Sequence, residues 1–150
     1  MKVKRIDHIG LIVNDLPTVK QFFLDFGLEV MGEAQMQGEL LDRLLKLEGT
    51  KTEFVMMRPP GGEACIEIIK FHSPVDESDV QQFAVNALGI RHIAFLMENI
   101  EGIVANLKAK GAEIFSEIQT YGTSYKLCYV RGPEGIILDL AERIAQTPAS

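Results

Sequence analysis

The sequence predicts an α+β protein in which one small module, a strand followed by a helix and three further strands, occurs twice. The first observation is an internal repeat, because three stretches recur in the same order along the chain. They are residues 8–16 and 92–100, residues 27–30 and 111–114 at the same offset of 84, and residues 62–68 and 133–140 with a one-residue gap. The second observation is the alternation of residues in the first and last of these stretches, which is typical of strands. The third is that each helical stretch ends at a glycine.

The repeat also sets the expected domain organisation. We expect a single domain of 150 residues, with module 1 at about 1–71, a connector at 72–89 and module 2 at about 90–143. The connector is acidic at first and then helix-like. It is long enough to let the two modules pair within one chain.

The elements of each module are predicted from apolar periodicity and from the residues that begin and end helices. In module 1 we predict a strand at 5–13, a helix at 16–26, a short helix or ordered loop at 39–47, and strands at 29–37, 52–58 and 64–71. In module 2 we predict a strand at 90–97, a helix at 100–110, and strands at 113–119, 126–131 and 136–141. Asn14 or Asp15 caps the first helix and Asn99 caps the second. Gly27 and Gly111 end them, since glycine readily takes the left-handed conformation.

Composition narrows the class of protein. Hydrophobic residues make up 47% and charged residues 24%, as in an ordinary globular protein. No apolar stretch approaches the ~18 residues of a membrane span, and the N-terminus lacks the features of a signal peptide, so we expect a cytoplasmic protein without a membrane partner. The net charge of −6 argues against nucleic acid as a partner, because phosphate binding needs a basic surface.

Four polar residues stand out within these apolar strands: His8 and His92 in the two first strands, and Glu67 and Asp139 in the two last strands. Period-2 alternation places each of them on the strand face opposite its apolar neighbours. A lone residue of this kind is most simply a hydrogen-bonded or solvated side chain. Because the same roles recur twice in register, we instead predict one divalent metal ion with these four ligands. Nitrogen and carboxylate donors suit nickel, cobalt, zinc, manganese or iron.

The motifs around these residues resemble a known family. The stretches 7–11, 89–95 and 132–140 are similar to those of the vicinal oxygen chelate superfamily, which includes glyoxalase I, methylmalonyl-CoA epimerase, extradiol dioxygenases, and fosfomycin and bleomycin resistance proteins. The resemblance implies that the two βαβββ modules form a curved mixed-sheet cup around one metal. His8 and His92 match the two family histidines, and Glu67 matches the first-module ligand of glyoxalase I. Asp139 stands where the family usually has glutamate, which leaves open whether it binds the metal directly or through water.

The resemblance implies a reaction as well as a site. Glu67 favours a lyase or isomerase that transfers a proton next to a carbonyl through a metal-bound enediolate, with Glu67 or Asp139 as the catalytic base. Glyoxalase I-like action on a thiol adduct of glutathione and epimerase-like action on a coenzyme A thioester both remain open. The alternatives are an extradiol dioxygenase, which uses two histidines and one carboxylate, and a non-catalytic bleomycin- or fosfomycin-resistance-type binding protein.

Two features concern substrate and assembly. Lys126 and Arg131 flank a predicted strand and are candidates for holding an anionic part of a small-molecule substrate, the alternative being solvated strand-end charges. The family resemblance also implies a homodimer, in which the two modules of one cup come from one chain or from two.

Overall fold

The repeat in the sequence appears in the structure as two mixed sheets. The computed structural model describes residues 1–78 and 84–145. The chain divides into two units, Met1–Asp79 and Val80–Ser150, and each unit contains one of the sheets.

The first unit has six described elements. They are β1 (His8–Ile12), α1 (Leu16–Phe26), β2 (Glu29–Gln37), α2 (Glu39–Leu45), β3 (Lys51–Arg58) and β4 (Cys65–Ser73). The strands lie in the order β1-β4-β3-β2. The sheet is mixed because β1 pairs with β4 in parallel, whereas β3 pairs antiparallel with both β4 and β2.

The second unit repeats this arrangement. Its elements are β5 (His92–Leu96), α3 (Ile100–Ala109), β6 (Glu113–Ile114), β7 (Gln119–Tyr121), β8 (Tyr125–Arg131), a short 3-10 turn (Pro133–Gly135) and β9 (Ile137–Arg143). The strand order is β5-β9-β8-β6, and β7 also pairs with β8. The first strand again pairs in parallel with the last, as in the first unit. The predicted α+β class and the two βαβββ-like modules are therefore confirmed.

The helix ends follow the capping chemistry expected from the sequence. Asp15 caps α1, since its carboxylate accepts hydrogen bonds from the Thr18 backbone N–H at 3.1 Å and from the Thr18 hydroxyl at 2.7 Å. Gly27 ends α1 with φ of 116°, a conformation that side chains rarely adopt. Asn99 caps α3 by accepting from the Gly102 N–H at 3.2 Å.

The longer helix of each unit, α1 or α3, covers one face of its own sheet. In the first unit, Val19 and Phe23 of α1 are fully buried, as are Met57 and Ile68 of the sheet. In the second unit the residues buried between helix and sheet are Ile100 and Leu107 of α3 and, from the sheet, Cys128, Val130, Leu138 and Leu140. This burial is the main source of stability for both sheets. The residues that alternate with the buried ones lie on the opposite face of each sheet.

Two predictions differ from the structure in more than the bounds of an element. The strand predicted at 113–119 is divided into β6 and β7. Between them, the Ser116 hydroxyl and the Gln119 side-chain amide both donate to the backbone carbonyl of Glu117, at 2.9 and 3.0 Å, and such local bonds compete with strand pairing. The helix-like part of the connector falls partly at residues 79–83, outside the described residues, while Ala84–Ala87 forms a turn closed by a 3.0 Å hydrogen bond.

None of the described helices is long and apolar enough to cross a membrane.

Candidate metal centre

The first predicted ligand pair lies on the face of the first sheet that α1 leaves uncovered. Along β1, His8, Gly10 and Ile12 are exposed, whereas Ile9 and Leu11 are partly buried. Along β4, Glu67 lies between Ile66 and Ile68, which are 4% and 0% exposed beneath the helix. Alternation therefore places the histidine and the carboxylate on the same open face.

The pairing register brings these two side chains into contact. Residue Gly10 of β1 lies opposite Glu67 of β4, so His8 is the diagonal neighbour of Glu67. The distance from His8 Nε2 to Glu67 Oε2 is 2.9 Å. The histidine side chain is 41% exposed and the glutamate 22%, so the pair is open to solvent on one side. We call His8 and Glu67 the first half-site.

The second unit uses the same register. Ala94 of β5 lies opposite Asp139 of β9, which makes His92 the diagonal neighbour of Asp139. His92 is exposed, and Asp139 is partly buried between the fully buried Leu138 and Leu140. We call His92 and Asp139 the second half-site. Each unit thus carries one histidine and one carboxylate in matching positions, with a small residue, glycine or alanine, opposite the carboxylate.

Tyr129 of β8 lies beside the second half-site, although no pattern in the sequence indicated a role for it. It pairs directly with Asp139 across the sheet, and its ring meets the His92 ring edge-to-face with centroids 5.4 Å apart. Burial raises the pKa of the Tyr129 hydroxyl, and the negative charge of Asp139 and a hydrogen bond to that carboxylate raise it further. The hydroxyl therefore stays protonated and donates to Asp139.

The surroundings of Asp139 fit a bound cation. Its Oδ1 atom is buried and makes no hydrogen bond to any described residue. A buried carboxylate oxygen without a partner is costly, and a positive ion removes that cost. Each half-site by itself offers one nitrogen and one oxygen donor, which are donor types that suit the divalent metals predicted from the sequence.

The described residues contain no ready-made cluster of three or more histidine, cysteine, aspartate or glutamate side chains that could hold a metal ion. What the structure brings together is one pair of candidate ligands within each unit.

The two candidate substrate-binding residues lie on opposite faces of β8. Lys126 is on the helix side, where it donates to Glu101 of α3, and this hydrogen bond raises the pKa of Lys126. Arg131 is two residues from Tyr129 and therefore on the face of the second half-site. Its guanidinium donates to Glu113 at 3.0 Å and lies 5.0 Å from the centre of the Phe115 ring. Of the two candidates, Arg131 is the one on the sheet face that carries Asp139.

The family of the chain follows from comparison with known proteins. Residues 5–140 match the Glyoxalase/Bleomycin resistance protein/Dioxygenase superfamily. Because this match covers most of the 150 residues, the chain belongs to that superfamily.

Individual relatives agree with this assignment. The crystal structure of a glyoxalase family protein from Bacillus cereus is 36% identical, with a TM-score of 0.92 and 97% of each chain covered. The uncharacterized protein YwbC of Bacillus subtilis (strain 168) is 27% identical over 141 residues, which are 93% of this chain and 98% of that protein. The uncharacterized protein YaeR of Escherichia coli (strain K12) is 23% identical over 143 residues, 94% of this chain and 98% of that protein.

Proposed function

We propose that this chain is a metal-dependent lyase or isomerase that transfers a proton at the carbon next to a carbonyl group, in the manner of glyoxalase I or methylmalonyl-CoA epimerase. The observation that carries the proposal is the occurrence of the same histidine–carboxylate pair, in the same strand register, in both units. A dioxygenase site with two histidine ligands and one carboxylate ligand requires only one of the two carboxylates. Glu67 therefore favours proton transfer.

The proposed ligands of one divalent ion are His8, Glu67, His92 and Asp139. His8 offers Nε2, the atom that now contacts Glu67, and Asp139 offers the buried Oδ1 that has no partner among the described residues. When bound, the ion supplies Lewis acidity toward the carbonyl oxygen of the substrate.

The two carboxylates differ in their fitness to act as the base. Glu67 has a flexible side chain, is 22% exposed, and faces solvent beside His8, so it can reach the proton of a substrate lying on the open sheet face. Asp139 is shorter, and its neighbour Tyr129 restrains it. We assign the proton-transfer role to Glu67 and a ligand role to Asp139.

The proposed substrate is a small thiol adduct or thioester with an anionic part. Arg131 is the residue for that anionic part, because it lies on the face of the second half-site, whereas Lys126 is paired with Glu101 on the opposite face. The guanidinium of Arg131 is only 17% exposed and stacks on Phe115, so its position is well defined before any substrate arrives. Homodimerisation, which the family resemblance implies, is part of the proposal.

The proposal is tested by following solvent deuterium at the carbon next to the carbonyl. The metal-loaded parent is incubated in D₂O with a glutathione hemithioacetal or with methylmalonyl-CoA, and deuterium incorporation is measured by NMR. We expect incorporation with one of these substrates. Glu67→Gln lowers kcat by at least about 100-fold, the usual contribution of a general base. Glu63→Gln, a change at an exposed carboxylate of the loop before β4, keeps parental activity.

Two results count against the proposal. Full turnover by Glu67→Gln removes Glu67 from the reaction. Absence of deuterium incorporation with both substrates, in a parent that carries metal, contradicts the proposed proton transfer.

A further inference from the structure

We infer that Asp7 is a positioning residue for the metal ligand His8, holding the imidazole ring so that its Nε2 atom is presented to the metal. The inference rests on the proposed function, because it assumes that His8 is a ligand. Asp7 itself is not a ligand in this proposal, since its carboxylate contacts the opposite side of the ring.

The geometry around the ring is a chain of three contacts. Arg5 Nη2 donates to Asp7 Oδ1 at 3.2 Å, and Asp7 Oδ2 lies 2.9 Å from His8 Nδ1. The other ring nitrogen, Nε2, lies 2.9 Å from Glu67 Oε2. Both oxygens of Asp7 are thus engaged, one by the arginine and one by the histidine.

This arrangement determines how the ring can serve a metal. Without a metal, Glu67 at Nε2 competes with Asp7 for the proton of the ring. When a metal takes Nε2, a carboxylate that accepts from Nδ1–H holds the neutral ring in the tautomer whose lone pair is on Nε2. It also limits rotation of the ring. Metal-binding histidines commonly donate their second ring N–H to a carboxylate, carbonyl or water for these reasons.

The second half-site lacks an equivalent of Asp7. The residue before His92 is Arg91, and a guanidinium has no acceptor for an imidazole N–H. The ring of His92 is instead in edge-to-face contact with Tyr129. Replacement of Asp7 therefore acts on the first half-site alone.

The ordinary alternative is that Asp7 and His8 merely touch at an exposed strand end. Arg5 and Asp7 are 59% and 65% exposed in their side chains, so their contact is open to water and is weak as a source of stability. A purely local contact does not alter metal affinity, whereas a positioning role does, and this difference defines the test.

The test measures metal affinity by competition with a chromogenic chelator, using zinc or nickel alone, in the parent, Asp7→Asn and Asp7→Ala. Loss of a partner of this kind weakens metal binding by about 10- to 100-fold. We expect that loss for Asp7→Ala and a smaller one for Asp7→Asn, whose side-chain oxygen still accepts from Nδ1. Glu63→Ala, which removes another exposed carboxylate, serves as the matched control and keeps parental affinity.

A second measurement needs no metal. Long-range ¹H–¹⁵N NMR at alkaline pH reports which nitrogen of His8 carries the proton. It is recorded on metal-free Glu67→Ala, because Glu67 otherwise competes for that proton at Nε2. We expect the Nδ1–H tautomer in Glu67→Ala and a mixture of tautomers in Asp7→Ala/Glu67→Ala. Thermal unfolding of the variants shows whether the fold is kept, which we expect because Asp7 is exposed.

The outcomes separate this inference from the proposed function. If His8→Ala abolishes metal binding while Asp7→Ala keeps parental affinity and does not change the tautomer seen in Glu67→Ala, the positioning role is overturned and the proposed site stands. If the parent binds no metal, or His8→Ala binds it as tightly as the parent, the proposed site fails and the role of Asp7 fails with it.

Discussion

The position of Tyr129, beside the second half-site, is determined by its neighbours. Its ring is held between the rings of His92 and Phe115, whose centroids lie 5.4 and 6.3 Å away. Its hydroxyl is directed toward Asp139, the strand partner in the sheet. The ring contacts give the hydroxyl a defined position, and the hydroxyl in turn restrains the carboxylate that we propose as a ligand.

Replacement of that hydroxyl should therefore change metal affinity without changing the fold. Tyr129→Phe keeps the ring contacts and removes the hydrogen bond to Asp139, so we expect metal binding about tenfold weaker, at the lower end of the range for such partners. Chelator competition measures the change. Tyr121→Phe, at an exposed tyrosine of β7, is the control and should bind metal like the parent. Equal affinities in all three proteins would remove Tyr129 from the site.

At the residue scale, alternation predicted part of the site and missed part of it. The face of Glu67 could be predicted because it lies between Ile66 and Ile68, and the face of His8 could be predicted because it alternates with the apolar residues that follow it. Tyr129 could not be, because its proximity to Asp139 depends on the register of two strands, which the sequence does not specify. Lys126 and Arg131 are five positions apart, so alternation alone already separates them onto opposite faces of a single strand.

The boundaries of helix α1, like those of β2, were predicted to the residue, and Asp15 is the reason for the start of the helix. Hydrogen bonds from the Thr18 hydroxyl and then from the Thr18 backbone N–H lower the pKa of Asp15 from its ordinary value of 3.8. Because the pKa is lower in the folded state, the charged carboxylate stabilises the fold at neutral pH. This contribution is lost as the pH falls below 3.8 through the folded-state pKa.

The cap therefore predicts that the loss of stability caused by replacing Asp15 depends on pH. Asp15→Ala should lower the urea midpoint of unfolding at pH 7, and the difference from the parent should shrink at a pH below the folded-state pKa of Asp15. Asp15→Asn, which keeps an acceptor without the charge, should lower the midpoint less. A difference between parent and Asp15→Ala that is the same at both pH values would show that the charge does not contribute.

Other elements were predicted less well for identifiable reasons. The first strand of each unit is shorter than its apolar alternation suggested, because β1 and β5 pair only where β4 and β9 supply partners. The interruption between β6 and β7 arises from side-chain hydrogen bonds to the Glu117 carbonyl. These bonds involve serine and glutamine, which occur in strands as well as in turns. The interruption could therefore not be predicted from the residue types.

At the scale of the whole molecule, the two units present the same chemistry through different sequences. Their parallel first and last strands share one register, so the carboxylate faces Gly10 in one unit and Ala94 in the other. The neighbouring strand differs, because Met56 lies opposite Glu67 whereas Tyr129 lies opposite Asp139. The repeat was visible in the sequence because both copies keep the histidine and the helix-ending glycine. Because of these differences, the proposed carboxylate ligand faces a different side chain across the sheet in each unit.

The central claim is that both half-sites serve one metal ion, and metal content tests it most directly. Untagged parent protein is loaded with zinc or nickel, freed of excess by gel filtration, and measured by mass spectrometry alongside His8→Ala, His92→Ala and His72→Ala. The last is the control, because His72 of β4 contacts Glu53 at 3.5 Å and lies outside both half-sites.

We expect about one metal per chain in the parent and in His72→Ala, and loss of metal in both His8→Ala and His92→Ala. A parent that takes up no metal would contradict the claim. Retention of metal by either His8→Ala or His92→Ala would also contradict it, because one half-site would then bind without the other.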